Sequence, residues 1–135
     1  MSLEGLNNTS KNTLVEHLGI EFIEIGDDYI KAKMPVDSRT VQPYRLLHGG
    51  ASVVLAETLG SVASVGVIED LSQQMPVGIE INANHLHSAT HGFVYGITKP
   101  VKLGKRLQVW NIEIRDEDNQ LVCVSRITIA VIAKR

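Results

Sequence analysis

Aromatic residues are scarce in this chain: one Trp, three Tyr and two Phe among 135 residues. Rings cannot dominate the core, so Val, Ile, Leu and Ala must fill it. A single cysteine, Cys123, excludes an internal disulfide. It lies in an alternating apolar run, which points to a buried, inert thiol rather than a nucleophile. That usage fits a reducing cytoplasm. Neither sign of charge prevails: 13 Lys and Arg stand against 15 Asp and Glu, a net charge of −2. With no basic block, nucleic-acid binding has no electrostatic support. The N-terminus lacks the charged-then-apolar pattern of a secretory signal. The longest apolar stretch, from Ala51 to Ile68, is broken by Glu57 and several hydroxyls, which argues against a membrane span. Repeats, low-complexity tracts and linkers are also missing. The expectation is one domain over 1–135, with 1–8 flexible.

The elements follow from periodicity. Thr9 to Leu18 reads as a short helix with Leu14, Val15 and Leu18 as its stripe and Gly19 as its stop. Two strands follow, parted by Gly26-Asp27-Asp28; in the second, Ile30, Ala32 and Met34 alternate with Tyr29, Lys31 and Lys33. Gly49-Gly50 opens a helix running to about Glu69. Apolar residues around nearly all its circumference predict a buried helix. Four strands come next: Val77 to Leu86, Phe93 to Thr98, Arg106 to Arg115 and Leu121 to Ile132. The turns between them are Thr90-His91-Gly92, Lys99-Pro100 with Gly104, and Asp116 to Gln120. The last two strands read as a hairpin. One long apolar helix among antiparallel strands implies an α+β fold, a curved sheet wrapped around the helix. Its exposed edges make edge-strand dimerisation a reasonable expectation.

Two features carry chemistry. Glu57 sits mid-way along the most apolar helix, where a carboxylate is costly unless it lines a wet cavity or has partners; the helix holds no Lys or Arg. Ser61 is one turn further on the same face, although helix hydroxyls often only bond back to the preceding turn. The second feature is Leu46-Leu47-His48-Gly49-Gly50-Ala51 at the helix start. Unpaired N–H groups and the helix dipole create positive potential there, and glycine admits a substrate close to the backbone. A carbonyl oxygen becoming negative would suit that position. Gly49 and Glu57 are about 12 Å apart along a helix at 1.5 Å per residue. If both act on one carbonyl, they come from two protomers.

The run Met34 to Thr40, then Gln42-Pro43, Leu46 to Gly50, Ala51 to Ser61, Gly78 to His85 and Gln108-Val109-Trp110 resembles the hotdog-fold thioesterases of the PaaI-like, 4-hydroxybenzoyl-CoA and 1,4-dihydroxy-2-naphthoyl-CoA thioesterase group. The resemblance covers nearly all the chain after Gly19 and is nearest to the small bacterial branch acting in menaquinone or enterobactin metabolism. It implies hydrolysis of an aryl- or acyl-CoA thioester, with 1,4-dihydroxy-2-naphthoyl-CoA or a benzoyl-type ester favoured. By the same resemblance, the Gly49 N–H polarises the carbonyl, His48 positions that end of the substrate and Gln42 lies near the thioester. Glu57 is nucleophile or general base, and Ser61 holds the water. Val62 and His85 border the acyl or aryl pocket, and Ser88 lies near the coenzyme A arm. His87 departs from an arginine often found there, which puts one phosphate contact in doubt. The resemblance implies no metal and no redox cofactor, a homodimer with interfacial active sites that associates into a tetramer, and either CoA or a carrier protein as thiol.

Two strand histidines, His85 and His87, with His91 nearby make a weak zinc set, lacking an obvious third ligand. Lys99, Lys102, Lys105 and Arg106 form a mildly basic cluster, either solvated or touching nucleotide phosphates. A hotdog dehydratase or hydratase has a different helix motif, and a non-catalytic acyl-CoA or acyl-carrier binder has no need of Glu57.

Overall fold

Residues 1–135 are described in the computed structural model. Six antiparallel strands form one sheet in the order β1-β2-β4-β5-β6-β3. They are β1 (Glu21–Ile25), β2 (Ile30–Pro35), β3 (Gln74–His85), β4 (Phe93–Leu103), β5 (Leu107–Arg115) and β6 (Leu121–Ala133). Helix α3 (Gly49–Val67) packs across β2 to β6. The α+β sheet-and-helix expectation holds. Alternation sets the inner face: Ala32 and Met34 on β2, Val94 on β4, Trp110, Ile112 and Ile114 on β5, and Ile127 and Ile129 on β6 are all buried. Leu55, Ala56, Leu59 and Ala63 meet them from α3.

The approach of helix to sheet is close enough to require small residues. A Cβ on Gly60 would lie 2.5 Å from Ile127 Cγ2, and one on Gly96 would lie 2.7 Å from Leu59 Cδ1. Gly60→Val is therefore expected to destabilise the fold. Overpacking costs roughly 1–3 kcal/mol, which exceeds the few tenths of a kcal/mol that Val gains over Gly in a helix. A thermal melt should show a transition several degrees lower; an unchanged one would refute the packing argument.

Three expectations need correction. The helix expected over Thr9 to Leu18 shrinks to α2 (Leu14–His17), and a separate helix α1 (Leu3–Thr9) precedes it. Asn12 has φ 61° between them, and Thr13 starts α2 by accepting the Val15 N–H at 3.2 Å. α1 is tied to β1 because the Asn7 amide donates to the Phe22 carbonyl and accepts the Phe22 N–H. Lys99-Pro100 is no turn, since both lie within β4. Pro100 is tolerated because the register shifts between it and Lys102, and a bulge accommodates a residue that cannot donate. The turn comes later, where the Gly104 N–H meets the Leu107 carbonyl at 2.9 Å.

The third correction concerns α3. It has the length and apolarity of a membrane-spanning helix, yet its burial is one-sided. Ala51, Ser52, Leu55, Ala56, Leu59, Gly60, Ala63 and Ser64 are buried, while Glu57 is exposed and Ser61 and Val62 are half-buried. Val, Ala and Gly on the outer face hide the asymmetry in hydropathy alone. Cys123, by contrast, is buried as expected, and burial pushes its thiol pKa up. A neutral thiol is a poor nucleophile.

Candidate active site

The start of α3 is held by its preceding loop on both sides. The His48 N–H donates to the Thr40 carbonyl and the Leu47 N–H to the Ala89 carbonyl, each at 2.8 Å. Between them Gln42 to Leu46 closes a turn, with the Gln42 N–H bonded to the Leu46 carbonyl at 2.9 Å and Arg45 at φ 66°. The Gln42 side-chain oxygen accepts the Tyr44 N–H, so its amide NH2 remains available.

A helix begins with four N–H groups that have no intrahelical acceptor upstream. Here His48 satisfies two of them, those of Gly50 and Ala51, and also accepts the first intrahelical bond, from Ser52. Its carbonyl accepts from Ala51 at 3.0 Å and from Ser52 at 3.3 Å. Its Nδ1 accepts from Gly50 at 2.8 Å, which puts the imidazole proton on Nε2. His48 is thus the helix cap, its ring folded back on the helix rather than reaching outward. The Gly49 N–H meets no acceptor in the chain. Of the donors at the positive end of the helix dipole, this one stays open for a ligand.

Gly49 faces a cleft of about 600 Å³ lined by Gln42, Leu46, Ser52, His85, His87 and Ser88 among others. A Cβ on Gly49 would lie 2.8 Å from His85 Nε2, so the imidazole of His85 covers that residue closely. The cleft thus gathers five of the residues expected from sequence: Gln42, Gly49, His85, His87 and Ser88. Sequence reasoning missed Ser52, which is only 1% exposed and lies three positions after Gly49, on the helix face that turns to the cleft. That spacing was the available signal. His85 and His87 do not share a strand face: β3 ends at His85. His87 turns to Asp116 instead, at 3.7 Å, a pair that is ionic only when the imidazole is protonated.

Glu57, Ser61 and Val62 lie outside this cleft. Glu57 is exposed, and none of the ion pairs of the chain reaches it. Its Oε2 lies over the backbone of Gly78 on β3. The Ser61 carbonyl accepts the Ser64 hydroxyl at 2.6 Å. Val62 lines a separate apolar groove between α1 and the end of α3, with Leu6, Val65 and Ile68. The acyl-pocket role expected of Val62 is therefore absent from the Gly49 cleft of one chain. Of the basic cluster, Lys99 lies within β4, whereas Lys105 and Arg106 lie in the β4–β5 turn.

Comparison with known proteins fits this geometry. The thioesterase superfamily matches residues 44–123, the span from the loop before α3 into β6. The chain is 54% identical to the 1,4-dihydroxy-2-naphthoyl-CoA hydrolase of Escherichia coli, covering 98% of this chain and 96% of that one. It is 52% identical to a proofreading thioesterase of Cronobacter turicensis, covering 97% and 94%. Among solved structures, a thioesterase of Haemophilus influenzae superposes with a TM-score of 0.95 at 50% identity, covering 98% of this chain and 92% of that one.

Proposed function

Because the chain belongs to the thioesterase superfamily, we propose that it hydrolyses an aromatic acyl-coenzyme A thioester of the 1,4-dihydroxy-2-naphthoyl type, at sites shared between two protomers. The observation that carries this reading is the open Gly49 N–H at the head of α3. It donates to the thioester oxygen, where negative charge develops as the carbonyl carbon becomes tetrahedral.

Glu57 of the same chain is about 12 Å away along the helix. The partner's Glu57, brought in by antiparallel packing of two α3 helices about a twofold axis, completes the site. It acts as general base. It takes a proton from water as the water oxygen bonds to the carbonyl carbon. The carbon–sulfur bond then breaks, and the proton passes to the departing sulfur, leaving the free acid and coenzyme A. The Ser61 hydroxyl, one turn from Glu57 on the same helix, holds that water. Gln42 contacts the thioester from the loop, His85 borders the acyl group, and Ser88 and His87 follow the pantetheine arm. Val62 enters from the partner with Glu57. Its small side chain leaves room for a bicyclic ring. The dimers pair into tetramers, and the enzyme works in the cytoplasm without metal or redox cofactor.

The E. coli relative is named for the naphthoyl ester, which supports the choice of acyl group. The test is thiol release from benzoyl, hydroxybenzoyl, 1,4-dihydroxy-2-naphthoyl, phenylacetyl and medium-chain acyl-CoA. The bicyclic aryl ester should exceed the medium-chain esters by about tenfold or more in kcat/KM, the scale on which a shaped apolar pocket discriminates. A medium-chain preference would refute the substrate assignment. Turnover only with a carrier-protein thioester would move the coenzyme, and absence of turnover on all of them would refute the reading.

A further inference from the structure

Gly78 sits in the interior of β3, paired with Ile129 and lying beneath the Glu57 side chain of α3. Glycine weakens a strand and is usually kept where φ is positive. The glycines with positive φ are Gly19 and Gly92, so the backbone at Gly78 makes no such demand. The space above it is taken by a functional group. A Cβ built on Gly78 would stand 2.8 Å from Glu57 Oε2 and 3.8 Å from its Cδ, against 3.6 Å from Ile127 Cδ1. The first is closer than a Cβ can stand, so the exposed Glu57 carboxylate would have to move aside, whereas the last is an ordinary contact.

No ion pair secures the carboxylate, and no side-chain hydrogen bond of the chain ends on it. Beside Gly78 the ladder slips by one residue before Glu80. Such a bulge re-aims the strand locally. We infer that Gly78 is a positioning residue for the reaction: the missing side chain is the seat in which the Glu57 carboxylate lies, in reach of the thioester. This rests on the reading of Glu57 as the base.

The experiment compares kcat and KM of Gly78→Ala, Glu57→Ala, Glu57→Asp and the two double variants, using the aryl-CoA ester turned over fastest. Gly78→Ala should lose about 10- to 100-fold in kcat, the scale of an ångström of misplacement, with KM within about twofold. In the Glu57→Ala background the same change should cost nothing more. In the Glu57→Asp background the shorter side chain clears the added methyl, so the relative loss should shrink. If Glu57→Ala collapses while Gly78→Ala keeps wild-type kcat, Gly78 is not the seat and the role of Glu57 stands. An undiminished loss in both Glu57 backgrounds would overturn the inference too, because misfolding does not depend on one methylene. If Glu57→Ala itself keeps wild-type turnover, the underlying reading falls instead.

Discussion

Glu57→Ala is expected to lower turnover by about 100- to 10,000-fold, the range for loss of a general base, with the melting temperature held. The structural reason for the second half is exposure: Glu57 is solvent-exposed and makes no ion pair within the chain. Alanine is also a better helix former than glutamate, so the helix loses nothing locally. The measurement is steady-state thiol release beside a thermal melt of the same preparation. Near-wild-type turnover would end the proposed mechanism, whatever the substrate.

Gly49→Pro should be almost as severe, at about 100- to 1,000-fold in kcat, the usual cost of one oxyanion donor. Proline is well suited to the first position of a helix, because the N–H it lacks has no partner there. That holds here, where the Gly49 N–H is unpaired. The residue before a proline prefers extended geometry, and His48 already has φ −67° and ψ 129°. The ring would press on His85, an exposed side chain with room to turn. The two variants also test the shared site. Refolded together, Glu57→Ala and Gly49→Pro chains form mixed dimers in which one site has both groups intact. Random assortment should restore roughly a quarter of wild-type activity. No recovery would mean that each chain supplies its own complete site.

Much of this arrangement was legible because its signals are local. The alternation through Trp110, Ile112 and Ile114 places all three on the buried face of β5. The Gly49-Gly50 start predicted the head of α3 to the residue. What escaped depends on contacts distant in sequence. The segment with Leu3 and Leu6 is too weakly patterned to announce α1, whose attachment is made by Asn7 to a strand fifteen residues on. Pro100 looked like a strand breaker because the bulge that accommodates it is a property of β4 and β5 together. The orientation of Glu57 was also hidden. A single carboxylate among Val, Ala and Leu reads as buried until the sheet shows which side of α3 it covers. Likewise the capping bond of His48 was hidden, because only the geometry of its ring shows Nδ1 accepting the Gly50 N–H.

The order of the strands bears on how the protein is made. β3 leaves the ribosome directly after α3, but its sheet neighbour is β6, the last strand to be synthesised. α3 likewise packs on β4, β5 and β6, all downstream of it. A growing chain therefore carries an incompletely covered apolar helix and a strand without a neighbour until β6 has been made. Such long-range pairing delays folding and leaves sticky surface in the waiting state. Of the six strands, β6 is the closing piece, joining β3 to the sheet and completing the cover of the helix.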